Sequence, residues 1–146
     1  MIKKILFLKI LLLLLLPARS GNSQTVEVII TGIRSEKGQI VIGVFKDDES
    51  FQKEESFMEK RFVKSGISKR EMRVQFSLET GIYGLSLLDD ENSNGKMEYN
   101  FLGIPKEGFG FSDYYHKGIK KPKFDSYKFS INKDQTKRIT IRIRYM

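Results

Sequence analysis

The sequence predicts an all-β sandwich of about seven strands. Three observations carry that prediction. Several segments alternate apolar and polar residues with period two, turn residues separate them at short intervals, and sustained helical periodicity is absent from most of the chain.

Taken in order, Val26, Val28 and Ile30 share one face of a first strand. Ser35, Glu36, Lys37 and Gly38 then supply a turn, so a hairpin is expected to open the domain. In the next segment Ile40, Ile42 and Val44 face one way and Val41, Gly43 and Phe45 the other, the pattern of a strand covered on both faces. Residues 47–70 are charged and irregular, and Phe51, Met58 and Phe62 fit an amphipathic helix only loosely. A loop with a short helix is expected there, then a short strand near residues 61–65.

Met72, Val74, Phe76 and Leu78 alternate with charged and polar residues, giving one buried and one wet face, and Tyr83, Leu85 and Leu87 repeat this after Thr80 and Gly81. Gly81-Ile82-Tyr83 also has the form of a corner in which a tyrosine hydroxyl bonds back to the backbone, although a Tyr packed in the core gives the same triplet. Ile139, Ile141, Ile143 and Tyr145 alternate with Arg138, Thr140, Arg142 and Arg144 in a last strand whose basic outer face suits a protected edge.

The amino terminus reads differently. Lys3 and Lys4 precede an apolar run over residues 5–16, interrupted by Lys9 and followed by Pro17 and small residues. This is the pattern of a secretory signal peptide, and the run is shorter than the roughly 20 residues a membrane span needs. The expected division is a signal over residues 1–23 and a single β-sandwich domain over residues 24–146, with cleavage after Ser20 as the other reading. The expected location is periplasmic or secreted, with no stable membrane span after cleavage.

Loss of Lys3, Lys4, Lys9 and Arg19 lowers the formal charge from +8 to +4, a weak argument for nucleic acid, which is not expected as a partner. The expected partner is an envelope or extracellular ligand. The chain has no cysteine, which removes thiol catalysis and thiolate metal sites, and His116 is the sole histidine, which removes multi-histidine cages. Ser112, Asp113 and His116 hold the letters of a hydrolase triad, but three residues so close in sequence hardly align, and no G-x-S-x-G elbow is present. The chain is therefore not expected to be an enzyme.

One loop carries chemistry. Asp90, Asn92 and Asn94 stand at positions one, three and five of a D-x-N-x-N-G series that ends at Gly95. At that spacing alternate side-chain oxygens can converge on a hard cation, the glycine permits the bend, and the Lys96 carbonyl adds a ligand. Glu98 holds position nine, while position twelve is Phe101, so the loop is not an EF-hand. Calcium is the expected cofactor. Asn94-Gly95 is equally a hairpin turn that needs no ion.

Residues 99–124 follow without a clean period, yet hold seven of the seventeen aromatic residues. Phe101, Leu102, Ile104, Phe109 and Phe111 could plug an open end of the sandwich. Alternatively Tyr99, Phe109, Phe111, Tyr114 and Tyr115 could form a platform for a sugar or peptide. Lys117, Lys120, Lys121 and Lys123 make a small basic cluster.

The stretch TGIYGLSLLDDENSNGKMEYNFLGIPKEGFGFSDY resembles the signature of small exported bacterial proteins grouped as domain of unknown function 2141. The matching features are Gly81 and Tyr83, the loop from Asp90 to Lys96, Asn100 to Pro105 with Glu107, and Gly110 to Ser112. The resemblance implies a signal peptide and an immunoglobulin-like or transthyretin-like sandwich, and no activity. It also links the acidic loop to the segment ending in Glu107, which becomes a partner that either closes an ion site or holds the loop.

Overall fold

Ten short elements build two sheets in the computed structural model, which describes residues 21–146. The apolar run read as a signal lies outside the described residues. The strands are β1 (Ser23–Thr31), β2 (Gln39–Phe45), β3 (Met58–Val63), β4 (Glu71–Glu79), β5 (Gly81–Asp90), β6 (Gly108–Phe111), β7 (Lys128–Ile131) and β8 (Lys137–Arg142). Helix α1 (Asp48–Gln52) and a 3-10 turn (Phe124–Ser126) complete the set.

A three-stranded sheet in the order β4-β1-β8 packs on a five-stranded sheet in the order β3-β2-β5-β6, with β7 also on β5. The expected sandwich is present. Val26, Val28 and Ile30 of β1, Ile40, Ile42 and Val44 of β2, and Leu85 and Leu87 of β5 are nearly or wholly sealed between the sheets with Ile139 and Ile141 of β8. Full burial of each aliphatic side chain contributes about 1.5–3 kcal/mol, so this inter-sheet core is the main source of stability in a chain without disulfides.

The expected opening hairpin is not formed. β1 pairs with β4 and, in parallel, with β8, whereas β2 pairs with β3 and β5, so residues 32–38 cross from one sheet to the other. The polar groups of this crossing find partners elsewhere: Arg70 donates to the carbonyls of Gly32 and Ile33, and Lys64 donates to that of Ser35 at 3.0 Å. A turn signal between two alternating segments marks a reversal without naming which strand pairs with which.

The expected short helix is one and a half turns, closed by Asp47 Oδ1 accepting the Ser50 N–H at 2.8 Å. Met58 and Phe62, which fit helical spacing, instead alternate inward from β3. Tyr83 is buried in the core and makes no hydrogen bond to backbone among the described residues, so it is a packed ring rather than a corner. As expected, β2 is internal and β8 is an edge strand.

β5 is the spine of the larger sheet. Along one side its first half pairs with β7 and its second half with β6, leaving a seam at Leu85. Ser112 fills the seam: its Oγ accepts the Leu85 N–H at 2.9 Å and donates to the Tyr127 carbonyl at 2.5 Å. Strand β6 alternates Gly and Phe for a steric reason. A Cβ on Gly108 or Gly110 would come within 2.4–2.6 Å of Tyr145, Ile143 or Ile141, while Phe109 and Phe111 turn to the outer face.

Candidate functional site

That outer face carries a second apolar layer. Phe45, Phe51, Phe109, Phe111, Phe124 and Tyr127 form a buried cluster, with Phe51 set edge-on to Phe45 at 5.2 Å and to Phe111 at 5.8 Å between ring centres. Above it opens a cleft of about 760 Å³, within the range of small-molecule sites. Val41 and Phe45 of β2, Ser86 and Leu88 of β5, and Phe109 and Phe111 of β6 form its floor. The acidic loop and Tyr99 make one wall, and residues around His116 and Lys120 make the other.

The two walls share a clasp. Glu54 Oε1 accepts from the Tyr99 hydroxyl at 3.3 Å and from Lys121 Nζ at 2.6 Å. Partial burial, with the Glu54 charge second, pushes the Tyr99 phenol up to about 12, so it is a donor at every physiological pH.

The acidic loop is ordered by its own side chains. Asp90, fully buried, accepts the N–H of Asn94 at 3.1 Å on Oδ1 and that of Gly95 at 2.8 Å on Oδ2, where Gln39 also donates at 2.6 Å. Asn92 Oδ1 accepts the same Asn94 N–H, and Asn94 Oδ1 accepts that of Lys96. Asp90 and Asn92 thus direct oxygens at a common point, and that point is the Asn94 amide of the loop's own backbone. Asn92 Nδ2 reaches Glu98 Oε2 at 2.8 Å. Gly95 has φ +74, and the Arg61 guanidinium lies over it where a Cβ would project.

Glu107 is the residue that the resemblance ties to this loop. It is buried, and neither carboxylate oxygen has a hydrogen-bond partner. Burial, then the negative charges of Asp90 and Glu98, push its carboxyl above the ordinary glutamate value; the backbone N–H groups of Glu91 and Asn92, close by but outside hydrogen-bond geometry, pull the other way. A second carboxylate, Asp89, faces the opposite side of β5 and is occupied by Lys64 and Tyr145.

These residues suit a cation only in part. Among the described residues no three His, Cys, Asp or Glu side chains lie close enough to hold a metal ion. An ion here would rest on Asp90 and on neutral amide and carbonyl oxygens, a donor set calcium accepts. The lone pairs left on Asp90 Oδ1 and on the Asn92 and Asn94 amide oxygens, with the two unbonded oxygens of Glu107, remain for it.

The five rings expected to form a platform are divided. Tyr99, Phe109 and Phe111 line the cleft, Tyr114 packs on the cluster behind it, and Tyr115 lies off the lining beneath the Arg142 guanidinium at 4.6 Å. The expected plug is also divided, since Phe109 and Phe111 are buried whereas Phe101 and Leu102 project into solvent.

The triad letters are spent on backbone. Ser112 holds the β5 seam, Asp113 Oδ1 accepts the Thr140 N–H at 2.8 Å, and His116 Nε2 meets the Lys120 carbonyl at 2.6 Å. Gln39, Glu54 and Lys64 had no sequence signal, because each acts on a segment remote in the chain.

A family model described as an uncharacterized protein conserved in bacteria, DUF2141, matches residues 28–140. The chain belongs to the DUF2141 family. The match spans both sheets, the acidic loop and Glu107, so these DUF2141 features form one unit with the sandwich. No curated protein and no solved structure matches the chain.

Proposed function

We propose that this DUF2141 protein is an exported, non-catalytic binding module of the cell envelope, whose ligand site is the cleft on the outer face of the larger sheet. The acidic loop with Glu107 is a calcium-type site that sets one wall of that cleft. Asp90 and Glu107, with the neutral oxygens of Asn92 and Asn94 and the Lys96 carbonyl, would hold the ion, which would supply the positive charge these two buried carboxylates lack.

The observation that carries this reading is the cleft itself. It is wide enough for a small ligand, its floor is apolar, and its rings are held edge-on against one another so that the surface persists without a ligand. Export is supported by the lysine-led apolar run at the amino terminus. No helix among the described residues is long and apolar enough to cross a membrane.

The test is a pair of titrations on the secreted chain. Calorimetry with calcium should show one site and a higher melting temperature than in chelator. A neutral fluorescent apolar probe should bind once per chain and be lost in Ser86→Phe, which fills the floor. Unchanged melting with calcium sinks the ion site, and equal probe binding by Ser86→Phe sinks the cleft.

A further inference from the structure

The chemistry around the cleft is unevenly distributed, and the distribution selects a ligand class. Its floor is hydrocarbon: Val41, Phe45, Leu88, Phe109 and Phe111, with the Ser86 hydroxyl as a polar exception. Sugar recognition needs several converging hydrogen-bond groups at the base of a site, and this floor does not offer them.

Charge is confined to the rim. Glu54 is taken by Lys121, and Glu59 by Arg61. Lys96 and Lys120 also line the cleft, and neither has a carboxylate partner among the described residues. Among the charged side chains that line the cleft, the two left without an opposite partner are therefore both positive, above an apolar floor.

A third feature lies just outside. Phe101, 95% exposed, and Leu102, 66% exposed, stand between the lining residues Tyr99 and Gly103, and Ile119, 74% exposed, lines the cleft itself. The tip bearing Phe101 is not slack, because Asn100 Oδ1 accepts the N–H groups of Leu102 at 2.9 Å and Ile104 at 3.0 Å. Holding large apolar side chains in water has no folding benefit, and such patches mark contact sites.

We infer that the cleft takes a single-chain anionic amphiphile, a long-chain carboxylate. Its hydrocarbon lies on the aromatic floor, its head group meets Lys96 and Lys120, and the Phe101-Leu102 lip shields the chain as it enters. This rests on the cleft being the binding site.

The experiment displaces a neutral fluorescent apolar probe from the secreted chain with saturated carboxylates of rising length, below their aggregation limits, and with alcohols of matched length. Affinity should rise roughly fourfold per added methylene until the cleft is filled, the value that burial of each CH₂ implies. Carboxylates should outcompete alcohols by about twofold to fivefold. Lys96→Gln with Lys120→Gln should abolish that preference, weakening carboxylates by more than alcohols of matched length. Ser86→Phe and the milder Ser86→Leu should weaken both ligand series, with melting temperature read alongside to show that the variants fold.

A flat dependence on chain length, or equal affinity for acid and alcohol, overturns the inference. A probe that binds the cleft and is not displaced overturns the ligand class and leaves the binding site standing. Failure of the probe to bind, or its undiminished binding to a folded Ser86→Phe, overturns both. Sedimentation with anionic vesicles without displacement by monomeric carboxylates would make the lip a membrane contact and likewise overturns the inference.

Discussion

The ammonium of Lys64 lies against Oδ1 of Asp89 with both side chains fully buried, at the end of the inter-sheet core. Tyr145 donates its hydroxyl to Asp89 Oδ2 at 2.5 Å, and Lys64 also donates to the Ser35 carbonyl at 3.0 Å. The pair therefore joins the crossing from β1 to β2, the end of β3, strand β5 and the carboxyl-terminal segment.

Removing one member leaves a buried charge without its opposite. Lys64→Met should destabilise the fold by about 3–5 kcal/mol, and Lys64→Met with Asp89→Asn by distinctly less. Denaturant unfolding of the parent, Lys64→Met, Asp89→Asn and the double variant measures the coupling. Additive losses would mean the pair is not coupled.

Ser112→Ala should cost about 2–4 kcal/mol, because it strips partners from the buried Leu85 N–H and Tyr127 carbonyl together. Hydrogen exchange should show the Leu85 amide losing protection ahead of its neighbours. A variant as stable as the parent would place the seam's stability elsewhere.

For Glu107 the folded carboxyl titrates above its unfolded value of 4.5. Ionising it therefore opposes folding: the penalty is absent below the unfolded value, grows as pH rises through the folded one, and then stays constant. In chelator at neutral pH, Glu107→Gln should be more stable than the parent, and the gap should close below pH 4.5. Calcium should raise the melting temperature of the parent and not of Glu107→Gln.

Two glycines with the same backbone sign should respond differently to alanine. Gly38 has φ +75, and a Cβ there would sit 2.0 Å from the Asp90 carbonyl oxygen, so Gly38→Ala must displace the start of the acidic loop. Gly103, also at φ +75, has open space around it. Gly103→Ala should cost about 1–2 kcal/mol of conformational strain, and Gly38→Ala clearly more, by thermal melting.

Much of the sandwich is legible because alternation is local: Met72 to Leu78 and Ile139 to Ile143 declare their buried faces within one segment. Pairing is not local, and for that reason the S-E-K-G turn reads as a hairpin although β1 and β2 enter different sheets. The acidic loop is legible for the same reason as the strands, since Asp90, Asn92 and Asn94 bond to amides a few residues away. The cleft is not, because its floor joins alternate residues of three strands and its walls are clasped by Glu54 across distant segments. Nor does composition separate Phe101, in water, from Phe109, in the cluster.

Adjacent carboxylates at the end of β5 divide the two faces of the sheet between them. Asp89 answers Lys64 on the inner side and Asp90 answers the loop amides and Gln39 on the outer. A one-residue slip of β5 would trade these places, sending each carboxylate to donors built for the other and turning Leu85 and Leu87 out of the core. The dipeptide thus works as a reading-frame mark for the sheet, in which charge and hydrophobic pattern specify the same alignment.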